Sequence, residues 1–306
     1  MKTVKLWTRN FRLVILASAI GTLGAIAGGF ALAFLAFDET GSTLASALIV
    51  AIQLLPYLLL PVLIAPFMDR IPRKSFLVAG DAANAILLAG MGMWLLFFDF
   101  SYVGYLAVSL LLACLGAADE LAFTSIYPEL IPEGAEQKGY AVSSMLYPVL
   151  KVIMTPLAVV LLDTLGVAWI LIAQSGLSLA AAVTESFIRL DETERKHRAP
   201  YSLRAWVDDI REAVQYLKKE RGLCSIYGYM AVTNGVAGGF SPVLVAFFRT
   251  FPGFTAAMYS AFSVVEFVGR SVGSALQYRI SIPGKKRYGF TFFVYQFYEA
   301  MDMCLL

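Results

Sequence analysis

Residues 11–37 read FRLVILASAIGTLGAIAGGFALAFLAF, an apolar run whose single charge, Arg12, stands near its start. A helix needs about 20 residues to cross the hydrocarbon core of a bilayer, so this run is long enough to span one. Runs of similar character follow at 43–67, 75–97, 101–123, 139–162, 165–188, 223–248 and 255–278. Serial runs of this length predict an all-α, polytopic membrane protein. The composition agrees: 59% of the 306 residues are hydrophobic and 15% charged, with a mean hydropathy of +0.71. One soluble core would not hide that much apolar side chain. A basic N-terminus before an apolar run also superficially suggests a secretory signal, but the run is too long and further spans follow it, so a retained first helix is the reading.

Charge orders the loops. Lys2, Lys5, Arg9 and Arg12 precede the first run, Arg70, Arg73 and Lys74 fill the turn after the second, and Lys138 follows the fourth. Residues 189–222 are rich in Lys and Arg, and Arg279, Lys285, Lys286 and Arg287 follow the eighth run. The alternate loops, near Asp38, Asp99, Asp163 and Phe251, hold only Arg249 as a base. Under the positive-inside rule the N-terminus and the basic loops are cytoplasmic, in a cell inner membrane or plasma membrane.

The division expected is a six-helix bundle over 1–188, a cytoplasmic connector over 189–222, and a partial bundle of about three helices over 223–306. In the connector, Leu203, Trp206, Val207, Ile210, Val214 and Leu217 recur at helical spacing between charges, which predicts an amphipathic helix on the membrane surface or against the bundle. The last run, 288–306, is interrupted by Glu299 and Asp302, and the sequence reads as C-terminally truncated. Short turns at 38–42, 99–101 and 163–166 make the helices they join antiparallel neighbours. Pro56, Pro61, Pro148, Pro156 and Pro242 lie inside the runs and predict bends or locally opened turns. Gly21, Gly24, Gly28 and Gly29 form a small-residue face for close helix packing. Gly235, Gly238 and Gly239, followed by Phe240 as Gly29 is by Phe30, suggest an internal repeat.

Several ionisable groups fall at membrane depth. Lys151 lies within the fifth run and Glu266 and Arg270 within the eighth, while Asp81 and Asp119 lie nearer the basic ends of the third and fourth. A charge at mid-helix costs roughly 2.5 to 3.5 kcal/mol on insertion scales, so these side chains should face protein or water. Glu266 and Arg270, four apart, share a helix face and permit an internal ion pair. That pair is structural in one reading; in the other, Glu266 accepts a proton or binds substrate. Asp119 and Glu120 are adjacent, so at most one points at a central cavity. Asp119 or Asp81 steadies the basic loops or contacts substrate, and Lys151 neutralises a carboxylate or binds an anionic solute. Three scattered cysteines and one histidine, His197, give no metal, haem or disulfide pattern. No catalytic constellation, cofactor or nucleic-acid partner is expected.

The turn APFMDRIPRK over residues 65–74 resembles the loop between helices 2 and 3 of the major facilitator superfamily, Gly-x-x-x-Asp-Arg-x-Gly-Arg-Arg. Asp69, Arg70, Arg73 and Lys74 stand at matching positions, while Ala65 and Pro72 replace the family glycines. A fainter copy, Gly273 to Arg279 followed by Pro283 to Arg287, has Gln277 in the acidic place. The resemblance implies paired six-helix repeats working by alternating access without ATP. It makes Asp69, Arg70, Arg73 and Lys74 a gate motif, with Asp69 facing a helix end of the second repeat. The stretch Tyr127 to Glu133, with Gly139 to Ser144 after it, looks most like bacterial efflux or siderophore-exporter permeases, which implies proton antiport. The glycine-proline pattern of such antiporters keeps Pro148 and Pro156 here and lacks the glycines. The function expected is secondary active export of a small organic or amphipathic solute, coupled to protons. The alternative is a truncated, non-transporting membrane protein. Its partners would be the solute, protons and the lipid bilayer, with self-association if the short chain is active.

Overall fold

A computed structural model of the chain describes residues 5–68, 72–190, 202–220, 222–235, 252–253, 256–279, 286, 289–290 and 293–294. The described residues are helical with short connections. In order come α1 (Arg9–Thr40), α2 (Thr43–Met68), α3 (Arg73–Phe97), α4 (Tyr102–Leu130), α5 (Glu136–Leu165), α6 (Val167–Ser186) and α7 (Leu203–Lys219). Helix α8 covers residues 222–235, and α9 runs over Ala256–Arg279. Six of these, α1 to α6, are long and apolar enough to cross a membrane. The chain is an all-α multi-pass membrane protein.

The ends of the helices follow from local chemistry. Ser101 caps α4 by accepting a hydrogen bond from the Gly104 backbone N–H, and Ser202 caps α7 by accepting one from Ala205, satisfying N–H groups that lack a partner within the helix. Between α5 and α6 the chain reverses on one residue, Gly166, at φ +76°, a conformation that costs a side chain and that glycine adopts freely. Prolines that predicted bends sit inside unbroken helices: Pro56, Pro61 and Pro66 in α2, and Pro148 and Pro156 in α5. Pro242 lies outside the described residues.

Lipid changes where the apolar side chains go. Leu54, Leu58, Leu59 and Val62 of α2 are exposed, as suits a helix whose solvent is hydrocarbon. The interior is built from three apolar clusters. Phe11, Val14, Leu77, Ile126, Tyr127 and Ile188 fill the end where α1, α3 and α5 begin and α4 and α6 finish, hereafter the basic end. Leu35, Leu88, Met91, Tyr105 and Leu171 fill the opposite end, and Ile26, Ala31, Met154, Ala158 and Ile170 join α1, α5 and α6 between them.

Helices joined by short turns do touch, but the most extensive contacts pair α3 with α6, α1 with α6, α5 with α9, and α2 with α4. At the crossings with α6 the reason is small residues. A Cβ on Gly92 would meet the Ala168 carbonyl at 2.8 Å, and one on Gly28 would overlap the Gln174 side-chain amide. Gly24 is also close to α6, whereas Gly21 and Gly29 meet open space. The glycine face of α1 therefore divides: two of its four residues set the approach to α6. Of the matching glycines in the seventh run, Gly235 is described and meets nothing within 4 Å, and the rest lie outside the described residues. So do residues 236–248 of that run and the whole of 295–306, which holds Glu299 and Asp302.

Candidate functional site

The basic end is tied together by side chains. Arg73, in the first turn of α3, donates from Nη1 to the Ser125 carbonyl at 2.8 Å and to Glu129 Oε1 at 3.0 Å, both near the end of α4. Lys74 donates from Nζ to the Ser186 carbonyl at 2.6 Å, at the last residue of α6. Asn10 of α1 donates to the Arg189 carbonyl at 2.7 Å and accepts from its N–H. A helix leaves its last four carbonyls without backbone donors, so Lys74 satisfies one of them at the end of α6, and both cations suit the negative dipole ends of α4 and α6. Arg73 and Lys74, expected in a gate motif, are thus staples within the first six helices. Asp69 and Arg70, the other two residues of that motif, lie outside the described residues.

Next to this end, Tyr127 is buried and donates its hydroxyl to the Gly139 carbonyl at 2.6 Å. Ile131 packs where a Gly139 side chain would stand. The Tyr127 to Ser144 stretch thus forms the joint between α4 and α5, and Glu129 within it is the partner of Arg73.

Deeper lie the carboxyl groups. Helix α4 runs on to Leu130, past the end expected near residue 123, because Pro128 falls in its last turn and does not break it. Asp119 is therefore more than two turns inside, further from the helix end than its sequence position suggested. It faces α3: a Cβ on Gly80 would stand 3.6 Å from Asp119 Oδ1. Glu120 turns the other way and is exposed, so the two adjacent carboxylates diverge. Asp81 stands beside Gly80 on α3. From α6 comes Glu185, only 5% exposed, on which both Asp81 and Asp119 act electrostatically. Asp119 Oδ1 and Glu185 Oε2 are buried with no hydrogen-bond partner among the described residues.

Glu185 was missed from the sequence because it ends an apolar run, where a charge ordinarily belongs to the loop. The signal was present in the register: Ser178, Ala181, Ala182 and Glu185 are all buried, at spacings that share one helix face.

Lys151 sits midway along α5, with Nζ 5.5 Å from the Tyr147 ring centroid and 5.0 Å from that of Phe267 on α9. Along the same seam Ser144 and Ser274 share a hydrogen bond of 3.0 Å, and Lys138 lies over the Tyr278 ring at 5.7 Å. The pairs 138 with 278, 144 with 274 and 151 with 267 step in opposite directions, so α5 and α9 run antiparallel. Glu266 and Arg270 are on α9, and their side chains lie outside the described residues. The connector helix α7 carries the expected amphipathic pattern, and the Trp206 indole donates to the Leu63 carbonyl of α2 at 2.9 Å.

Six membrane-length helices, a basic turn between the second and third, an amphipathic connector after the sixth and a later helix laid along the fifth form one arrangement. No curated protein and no solved structure matches the chain. The family model described as Major Facilitator Superfamily matches residues 13–297. By a match over nearly its whole length, the chain belongs to the major facilitator superfamily of membrane transporters.

Proposed function

We propose that this transporter exports a small organic or amphipathic solute by alternating access, drawing its energy from protons. The observation that carries the reading is the α5–α9 seam. Its contacts are two hydroxyls and two α9 rings, Phe267 and Tyr278, facing lysines of α5, and such contacts re-form after a small slide. Alternating access needs a seam of this kind between two groups of helices, the six of 1–188 and those after the connector 189–222. Lys151, with Glu266 and Arg270 of α9, is the set from which solute or coupling contacts are drawn. Asp69 and Arg70 act with Arg73 and Lys74 as the gate. Arg9, Arg12, Arg73, Lys74 and Lys138 all belong to helix starts at one end of the bundle, and this excess of bases supports reading that end and the N-terminus as cytoplasmic, in a plasma or bacterial inner membrane.

The test is proton-gradient-driven flux of fluorescent cationic dyes in liposomes holding the purified chain. Flux that needs the gradient and falls strongly in Asp69→Asn supports the reading; flux indifferent to the gradient overturns proton coupling. Cys224, which is exposed, is expected to react with impermeant thiol reagents from the cytoplasmic side alone.

A further inference from the structure

Asp119 of α4 is aimed at Gly80 of α3, the neighbour of Asp81, and α6 brings in Glu185, 5% exposed; Asp119 and Glu185 each keep one buried oxygen without a hydrogen-bond partner among the described residues. The direction of the side chains explains why they converge. Side chains lean toward the N-terminus of their own helix. Helix α6 runs toward the basic end, so Glu185 leans away from that end and into the bundle; α3 runs the other way, so Asp81 leans toward Glu185. The ionisable groups that bear on the cluster are few. Glu120 adjoins Asp119 on α4, and Tyr57 of α2 brings its hydroxyl against Gly116, one turn before them. On α3 the nearest cation, Lys74, is bonded to the Ser186 carbonyl. On α1, Arg9, Arg12 and Glu39 are exposed, as are Glu136, Lys138 and Asp163 on α5, where Lys151 lies over the Tyr147 and Phe267 rings. Three carboxylates with no cation among them repel one another in a low-dielectric interior, and a buried charge without a partner is disfavoured there against its neutral form. Metal is a poor counter-charge here, since no group of three such ligands among the described residues is close enough to hold one. A proton needs no such cage.

We propose that Asp81, Asp119 and Glu185 form a proton-binding site enclosed by α3, α4 and α6, beneath the Arg73–Lys74 staples and away from the α5–α9 seam. The three carboxyls hold at least one exchangeable proton among them. As a proton site this stands on its own; as the seat of the coupling proton it rests on the export reading above.

The experiment is labelling of the full chain in lipid nanodiscs with dicyclohexylcarbodiimide, which reacts with protonated carboxyl groups in apolar surroundings, located by peptide mass. Glu185 is expected to be labelled near neutral pH and to lose reactivity as the pH rises. The labelled peptide is lost in Glu185→Gln, and the pH range of Glu185 labelling is displaced in Asp119→Asn. Size-exclusion profiles identify variants that keep the fold, and Asp81→Asn serves if Asp119→Asn does not. Glu185 inert at every pH while other carboxyls of the chain react overturns the proposal, as does labelling whose pH range is identical in folded Asp119→Asn or Asp81→Asn. Flux in liposomes separates the two readings. Normal labelling with no flux from the wild type removes the export reading and leaves the proton site, whereas normal gradient-driven flux with Glu185 inert does the reverse.

Discussion

The seam that α6 makes with α1 and α3 differs in material from the seam between α5 and α9. The first is closed by backbone approach: Gly24 and Gly28 of α1 lie under Gln174 and Leu177, and Gly92 of α3 lies under Ala168 and Ile172. The second is closed by side-chain tips, a serine pair and lysines over rings. Small residues let backbones meet in lipid, where no hydrophobic force draws helices together, and contact over so many atoms fixes one register. A shared hydroxyl bond or a cation over a ring is worth about 1 kcal/mol and tolerates displacement. The difference teaches which parts move as one body. Helices α1, α3 and α6 are a fixed frame, and α9 rides on α5.

The largest effect comes from breaking the tight seam. Gly92→Leu drives a side chain into the Ala168 carbonyl and the Ile172 backbone, costs about 3 kcal/mol or more, and leaves little folded protein by size exclusion and thermal unfolding in detergent; an unchanged melting curve would dissolve the comparison. Next is the loose seam, locked covalently. In a background without native cysteines, Ser144→Cys with Ser274→Cys is expected to cross-link on oxidation, stop flux while the fold persists, and recover on reduction. Undiminished flux through the cross-linked protein would mean that this seam does not slide.

Arg73→Gln tests the frame at its basic end. The Arg73 side chain is 16% exposed and that of Glu129 40%, so solvent screens part of the pair and the loss is about 1–2 kcal/mol. It reads as a modest fall in unfolding temperature. Lys151→Met has the smallest effect on stability. Two ring contacts are worth about 0.5–2 kcal/mol together, and a charge at mid-helix costs roughly 2.5 to 3.5, so the variant melts at or above the wild-type temperature. A drop of more than about 1 kcal/mol would make the cation a structural brace and would detach it from the solute.

The outline of the helices was legible in the sequence because lipid sets it: thickness demands about 20 apolar residues, and Thr43–Met68 and Tyr102–Leu130, with 26 and 29 residues, both meet that demand. Amphipathic spacing in the connector gave α7 for the same reason, since water on one side imposes a period. Partners were less legible. Short turns named α1 with α2 and α5 with α6, yet the closest packing joins α3 to α6, and nothing near Gly92 announces Ala168. Charges were legible as residues at depth and not as neighbours. Asp81 and Asp119 were both noticed, but their meeting depends on the α3–α4 register, and Glu185 was hidden by standing at the end of its run. Arg73 was read as part of a gate motif, and its bond to Glu129 emerged only when the last turn of α4 came beside it.

The Trp206 indole, bound to the Leu63 carbonyl, has a consequence for biosynthesis. Leu63 enters the membrane early, and Trp206 leaves the ribosome only after all six early spans. Chains fold from the N-terminus in units as they are made, so this late residue closes on an early one before the helices beyond the connector arrive. Docking of α7 is then a checkpoint of assembly. A chain whose second helix is misplaced keeps a loose, charged helix at the membrane surface, where proteases cut exposed segments.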